Sequence, residues 1–225
     1  MNQLERDSIK LTPQQEQFIL GTLLGDGCIR IQQNGNFPAL SILHSKHQHD
    51  YVVWKYNKLA ELCSAKPKDS NIILNGKPFS RCEFRTRSLP CLMNIYNMAT
   101  TDKKRVITQD WLDKIYDPMA LAVWYMDDGF IENATHKITG KTKTRLISFA
   151  MGIATQGECD LLTQWLEQYW DVKFRTYTAT HRSGKYMGNV YRYLRCSGIE
   201  NIETFINLIE PYVIPSMNYK THIFH

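Results

Sequence analysis

The strongest constraint in this 225-residue chain is an apolar run that ends in an acid and a glycine, and that occurs once in each half. The first copy is Phe18-Ile19-Leu20-Gly21-Thr22-Leu23-Leu24-Gly25-Asp26-Gly27, and the second is Leu121-Ala122-Val123-Trp124-Tyr125-Met126-Asp127-Asp128-Gly129. Each opens with a helix-start signal. Thr12-Pro13-Gln14-Gln15 supplies a hydroxyl cap, a proline in the first turn and the second member of a capping box, and Asp117-Pro118 repeats the cap and the proline. Gly27 and Gly129 are expected to close the two helices in the left-handed conformation. Asp26 and Asp128 then stand at the negative ends of their helix dipoles, where an acid costs roughly 0.3–1 kcal/mol. One such residue would pass as a local accident, but a repeated one points to a carboxylate held where a cation will sit. If the helices lie side by side, the two acids repel and need a cation or a proton between them. Gly21 and Gly25 would allow the first helix a close approach to its neighbour. The competing reading is a pair of unrelated buried helices with solvated ends.

The wording of these runs resembles the two motifs of the LAGLIDADG homing endonucleases in their single-chain, two-motif form. Trp124-Tyr125-Met126-Asp127-Asp128-Gly129 is typical of a branch that also contains intron maturases. The resemblance implies an α+β fold of two pseudo-symmetric halves, each with helices packed on an antiparallel sheet, joined at the two motif helices. We expect the halves to be residues 1–106 and 107–225.

The residues after each motif carry the same plan. Cys28 to Gln32 and Ala39 to His44 alternate around Asn34-Gly35-Asn36, as a hairpin does. A helix is expected over 47–63, then a second hairpin across Asn75-Gly76 ending near Arg87, then a helix over 89–98. Residues 100–116 form the joint. The second half offers a hairpin over 130–154, a helix over 158–170, a hairpin over 173–195, a helix over 199–209 and a tail. A duplication this long implies two related units.

A net charge of +5 and a pI near 8.8 suit a polyanionic partner without requiring one. Six cysteines occur singly with no close CxxC pair, which argues against a zinc ribbon, and reduced intracellular residues are expected. No apolar run is long enough to cross a membrane, and Met1 to Leu11 resembles no targeting segment; we expect the protein to act where it is made.

Polar side chains at alternate strand positions mark a face for a ligand. Arg30, Gln32, His44 and Lys46 are expected to project from the first hairpin, and Arg81, Glu83, Arg85 and Arg87 from the second. The other half offers Lys141, Lys143 and Arg145, then Arg175, Tyr177, Arg182, Lys185, Arg192 and Arg195. Any solvent-facing sheet alternates in this way, but four such hairpins suit the major groove of a long double-stranded DNA site.

Phosphodiester hydrolysis needs an activated water and charge neutralisation, which magnesium or manganese held by carboxylates can supply. Asp26 and Asp128 are the expected metal ligands, with the carbonyls of Gly25 and Asp127 as further oxygens. The resemblance implies that each half cuts one strand and that a lysine late in each half assists. Lys220 fits that place in the second half and Lys104 (or Lys103) in the first, while Gln156 and Ser45 fall where a polar residue would orient water. The expected enzyme is a monomeric, magnesium-dependent, site-specific DNA endonuclease. Two alternatives stand beside it: a maturase of the same fold that binds intron RNA, and a non-catalytic relative. Tyr125-Met126-Asp127-Asp128 also spells the YMDD signature of reverse transcriptases, but the helix-start signal and the short chain oppose a polymerase.

Overall fold

A computed structural model describes residues 3–74, 76–135, 142–152, 154–180 and 188–222. Helix α1 (Gln3–Ser8) precedes the first motif helix, α2 (Pro13–Leu24). Strands β1 (Cys28–Ile31) and β2 (Pro38–Ser45), helix α3 (His49–Leu59), and strands β3 (Lys68–Leu74) and β4 (Lys77–Arg85) follow. Helix α4 (Met93–Ala99), a short hairpin of β5 (Thr100–Thr101) and β6 (Lys104–Arg105), and α5 (Gln109–Leu112) lead to the second motif helix, α6 (Pro118–Asp128). The plan then repeats as β7 (Gly129–Thr135), β8 (Thr142–Gly152), α7 (Gln156–Trp170), β9 (Phe174–Thr180), β10 (Val190–Cys196) and α8 (Ile199–Ile209), with a 3-10 turn over Pro215–Lys220.

Two compact units result. One holds Met1–Trp124 with Ile214–Ser216, and the other holds Tyr125–Val213 with Met217–His225. The division falls inside α6 and not after residue 106. Their sheets share one antiparallel strand order, β1-β2-β4-β3 in the first and β7-β8-β10-β9 in the second. Register confirms the duplication. Ser41 stands opposite Cys28 and Arg85, and Ser148 stands opposite Phe130 and Arg195.

Local chemistry accounts for the motif helices. Thr12 accepts from the Gln15 amide and Gln15 returns a bond to the Thr12 amide, closing the capping box. Asp117 accepts from the Met119 amide at 2.9 Å at the start of α6. Past the polar start of α2 and up to the acids that end α6, both helices are apolar on every side and buried: Phe18, Ile19 and Leu20 in α2, and Ala120 through Met126 in α6, are fully inaccessible.

Gly21 is needed for space. A Cβ there would lie 2.3 Å from the carbonyl oxygen of Ala120, a backbone atom that cannot rotate away. Gly21→Ala should therefore destabilise the protein by about 1–3 kcal/mol, because overpacking outweighs the better helix propensity of alanine. Urea unfolding checks this, and an unchanged midpoint would contradict the close approach.

Gly27 and Gly129 do not adopt the expected left-handed conformation, which is found instead at Gly76, Gly152, Gly188 and Gly198. They too are glycines for room. Gly27 donates to the Thr22 carbonyl at 2.8 Å, and a Cβ on it would sit 2.5 Å from the Thr22 methyl. A Cβ on Gly129 would sit 2.1 Å from the Tyr125 ring. The chain turns back over the last helical turn at both places.

The six cysteines are unpaired, and burial pushes the Cys63, Cys82 and Cys159 thiols up to about 11. Among the described residues, no helix is long and apolar enough to cross a membrane.

Candidate active site and nucleic-acid face

Asp26 follows the end of α2 with its side chain about half exposed. His44 approaches it from β2, with Nδ1 at 3.5 Å from Asp26 Oδ2. Leu40, Ile42 and His44 alternate on the buried face of the strand, so His44 points inward and not toward a ligand face as expected. Behind it lies Lys55 of α3, wholly buried, with Nζ 3.4 Å from His44 Nε2 and 4.5 Å from the centre of the Tyr51 ring.

The carbonyls at the end of α2 are held by a cation. Arg105 Nη1 donates to Gly25 O at 2.5 Å, Leu23 O at 2.9 Å and Leu24 O at 3.4 Å. These are orphan acceptors at the negative end of the helix dipole, where a guanidinium is doubly favoured. Arg105, not the expected Lys104, occupies this place. Asp102 and Lys103 both have positive φ and form a two-residue turn that pairs Thr101 with Lys104 and Thr100 with Arg105. Both side chains are exposed, but alternation turns Arg105 toward the end of α2 and Lys104 to the opposite side.

The second unit repeats the device with a lysine. Lys220 is 8% exposed and donates to Met126 O at 2.6 Å and Asp127 O at 3.1 Å. Counted from the two Asp-Gly pairs, these carbonyls match those of Leu24 and Gly25. Tyr125 donates its hydroxyl to the Lys220 carbonyl at 2.8 Å, and burial pushes the phenol's pKa upward. The tyrosine ring is fixed by edge contacts with Phe149 and Phe205. Asp127 and Asp128 are half-buried beside this lysine-capped end. An acid at the wrong end of a helix is thus offset in each unit by a cation on the same carbonyls.

The oxygens present suit a hard divalent ion. Each unit offers an aspartate, and a carbonyl (Gly25 or Asp127) that already accepts one bond and keeps a second lone pair. The proposed water-orienting residues are placed differently. Ser45 caps the turn at His47, and Gln156 opens α7, donating to Asp160 at 2.8 Å and accepting from Arg192 at 3.4 Å.

The first sheet has a polar outer face. Arg81, Glu83 and Arg85 are half-buried on it, while Cys82 and Phe84 between them are buried against the helices. Arg81 and Lys68 both reach Glu83, at 3.4 and 3.7 Å, and Arg81 also donates to Ser70. Arg30 is exposed on β1, and Gln32 turns its amide oxygen to the Arg85 guanidinium. Two expected members are committed elsewhere: Lys46 pairs with Asp69 at 2.9 Å, and Arg87 donates to the Glu61 carbonyl.

In the second sheet Arg175 and Arg195 lie directly opposite each other. Arg195 stacks 4.1 Å over Tyr177 and pairs with Glu132 at 2.6 Å, and Glu132 accepts from Ser148. Arg192 departs from the expected face. It precedes a register shift and donates to the Ala154 carbonyl at 3.0 Å. Arg145 shares the parity of Ile147 and Phe149, the buried side of β8. Lys141, Arg182 and Lys185, with the Lys143 side chain, lie outside the described residues.

Two α+β units of one strand order, each with an acid at the end of a buried helix, define a duplicated, two-motif protein of the LAGLIDADG type. The model of the LAGLIDADG DNA endonuclease family matches residues 16–194, and the chain belongs to that family. It is similar to protein RecA of Mycobacterium gastri (24% identical, 93% of this chain and 47% of that protein). It is also similar to the cytochrome b mRNA maturase bI2 of Debaryomyces hansenii (26%, 91% and 72%) and to the DNA endonuclease I-ChuI of Chlamydomonas applanata (24%, 94% and 96%). The chain spans about half the length of the RecA proteins of Mycobacterium gastri and Mycolicibacterium chitae that it matches. Among solved structures, the homing endonuclease I-WcaI bound to its DNA recognition sequence superposes with a TM-score of 0.81 at 19% identity, over 100% of this chain and 94% of that one. I-SmaMI bound to uncleaved DNA with calcium ions gives 0.55 at 14%, over 93% and 87%. At these identities the likeness is one of fold.

Proposed function

We propose that the chain is a site-specific double-strand DNA endonuclease that hydrolyses phosphodiester bonds with magnesium or manganese. The observation that carries this reading is the repeated pairing of an aspartate with a cation-capped helix end, Asp26 with Arg105 and Asp128 with Lys220. Family membership supports it, as does a relative named as a DNA endonuclease that this chain covers almost from end to end. A bound divalent ion would polarise a phosphoryl oxygen and supply a hydroxide-like water near neutral pH. Asp26 and Asp128 would each hold such an ion for one strand. Arg105 and Lys220 keep the Gly25 and Asp127 carbonyls in place, and Arg30, Arg81, Arg85, Arg175 and Arg195 take phosphates and base edges. Both acids lie in one polypeptide, which is the reason to take a monomer as the active form, working in the compartment where it is made.

Incubation with a library of long duplexes and magnesium, followed by sequencing of cut ends, tests the activity. Binding supplies a second check. If those five arginines each neutralise one phosphate, log affinity should fall against log salt with a slope of roughly −4 to −5. A flat salt dependence would refute the groove reading. The name of the Debaryomyces relative favours one other reading, a maturase acting on intron RNA. Preference for structured RNA over every duplex in the library would select it.

A further inference from the structure

We propose that Lys55, acting through His44, is a positioning residue for Asp26 that makes the first half-site chemically unlike the second. This rests on the metal-binding role given to Asp26 above.

An ammonium group has only N–H bonds to offer, so the His44 Nε2 that faces Lys55 Nζ at 3.4 Å must present its lone pair. The imidazole proton is then on Nδ1, the nitrogen 3.5 Å from Asp26 Oδ2. The other tautomer would aim an N–H at the ammonium. Lys55 is itself held in place, because its Nζ rests over the Tyr51 ring at 4.5 Å and the Tyr51 hydroxyl is anchored on the Val123 carbonyl at 3.2 Å. The Nδ1–H therefore takes one oxygen of Asp26 and orients the carboxylate for a cation. The separation of 3.5 Å is long, as such contacts often are before a ligand tightens them.

The second half shows that the fold does not need this arrangement. Ser41 and Ser148 hold equivalent places in the two sheets, and α3 and α7 begin at matching positions, His49 and Gln156. Counting along, His44 falls on Met151 and Lys55 falls on Leu162, both buried. Methionine and leucine fill the same space and donate nothing. Burying a cation carries a large desolvation penalty that an apolar pair avoids. A histidine and a lysine at these positions are therefore explained by what they do to Asp26, and not by packing.

The test begins on the free protein. Long-range proton–nitrogen NMR of 15N-histidine protein should show His44 as the Nδ1–H tautomer, and Lys55→Met should abolish that preference. On a cleavable duplex with the strands labelled separately, Lys55→Met should slow by roughly 10- to 100-fold the strand silenced by Asp26→Asn, as outer-shell changes do at metal sites, and leave the other strand at its normal rate. His44→Asn, which keeps an N–H near the Nδ1 position, should retain more of that strand's cleavage than His44→Leu. An Nε2–H tautomer in the wild-type protein would overturn the proposal even if Lys55→Met fails to fold. Equal slowing of both strands with a lowered melting temperature would also overturn it, by making the pair structural. If Asp26→Asn silences a strand and Lys55→Met does not slow it, the positioning role alone falls. If Asp26→Asn leaves both strands cut, the metal role of Asp26 falls as well.

Discussion

Asparagine in place of Asp26 or Asp128 should slow cleavage of one DNA strand by at least about 100-fold, roughly 3 kcal/mol of barrier, while the protein stays folded. The neutral amide keeps the size of the side chain but is a poor ligand for magnesium. Stability should hold or rise slightly, because an aspartate at the negative end of a helix costs about 0.3–1 kcal/mol. Affinity for the duplex should survive, since the arginines of the two sheets are untouched. A residue serving only as a solvated helix end would behave in the opposite way, with activity unchanged. Nicking assays with each strand labelled decide the matter, and full double-strand cutting by either variant would end the two-carboxylate mechanism. Silencing of both strands by one substitution would make Asp127 the next residue to replace.

Lys220→Met should have the largest effect on stability. Its ammonium supplies bonds to Met126 O and Asp127 O from a position only 8% exposed. Hydrogen bonds to charged groups contribute about 1.5–3 kcal/mol each, so losing both should cost roughly 3–5 kcal/mol. In a chain of this size that lowers the melting temperature by about 10 °C. Lys104→Ala should change stability by less than about 0.5 kcal/mol, because that side chain is exposed. Calorimetry of the two variants tests the contrast, and an unchanged melting temperature for Lys220→Met would show that its carbonyl contacts contribute nothing.

The two motif helices were legible because their signals are local: a capping box at Thr12 and Gln15, an aspartate cap at Asp117, and an unbroken apolar run after each. The hairpins were legible from period-two alternation, which β4 keeps from Arg81 to Arg85. What escaped depends on parity and on turns. Lys104 is expected because the resemblance calls for a lysine late in each half, and Asp102-Lys103 does not look like a tight turn, so nothing local says which of the exposed pair Lys104 and Arg105 faces α2. The polarity of His44 suggests the ligand face, but counting in twos from Leu40 and Ile42 puts it on the buried side of β2. Lys55 follows Tyr51 and Val52 at helical spacing, and that spacing carried the signal its charge obscured. Arg192 stands three residues from Arg195, so counting in twos already places it with Leu194 and Cys196 on the other side of β10.

Both outer faces contain their own rival for the arginines. Glu83 holds Arg81 and Lys68, and Glu132 holds Arg195 at 2.6 Å before any duplex arrives. A passing phosphate must displace a carboxylate that already neutralises the guanidinium, and it meets the repulsion of that carboxylate as well. At Arg81 and Arg195 the net gain from sequence-blind contact is therefore smaller than at Arg30, Arg85 and Arg175, which moves the expected salt slope toward the shallow end of its range. A guanine edge that offers two acceptors in the plane of the fork repays the exchange better than a phosphate in poor alignment. In the proposed endonuclease the two acids would act as a filter on encounter, trading raw affinity for discrimination and leaving the surface readier to let go of the wrong site than to cling to it.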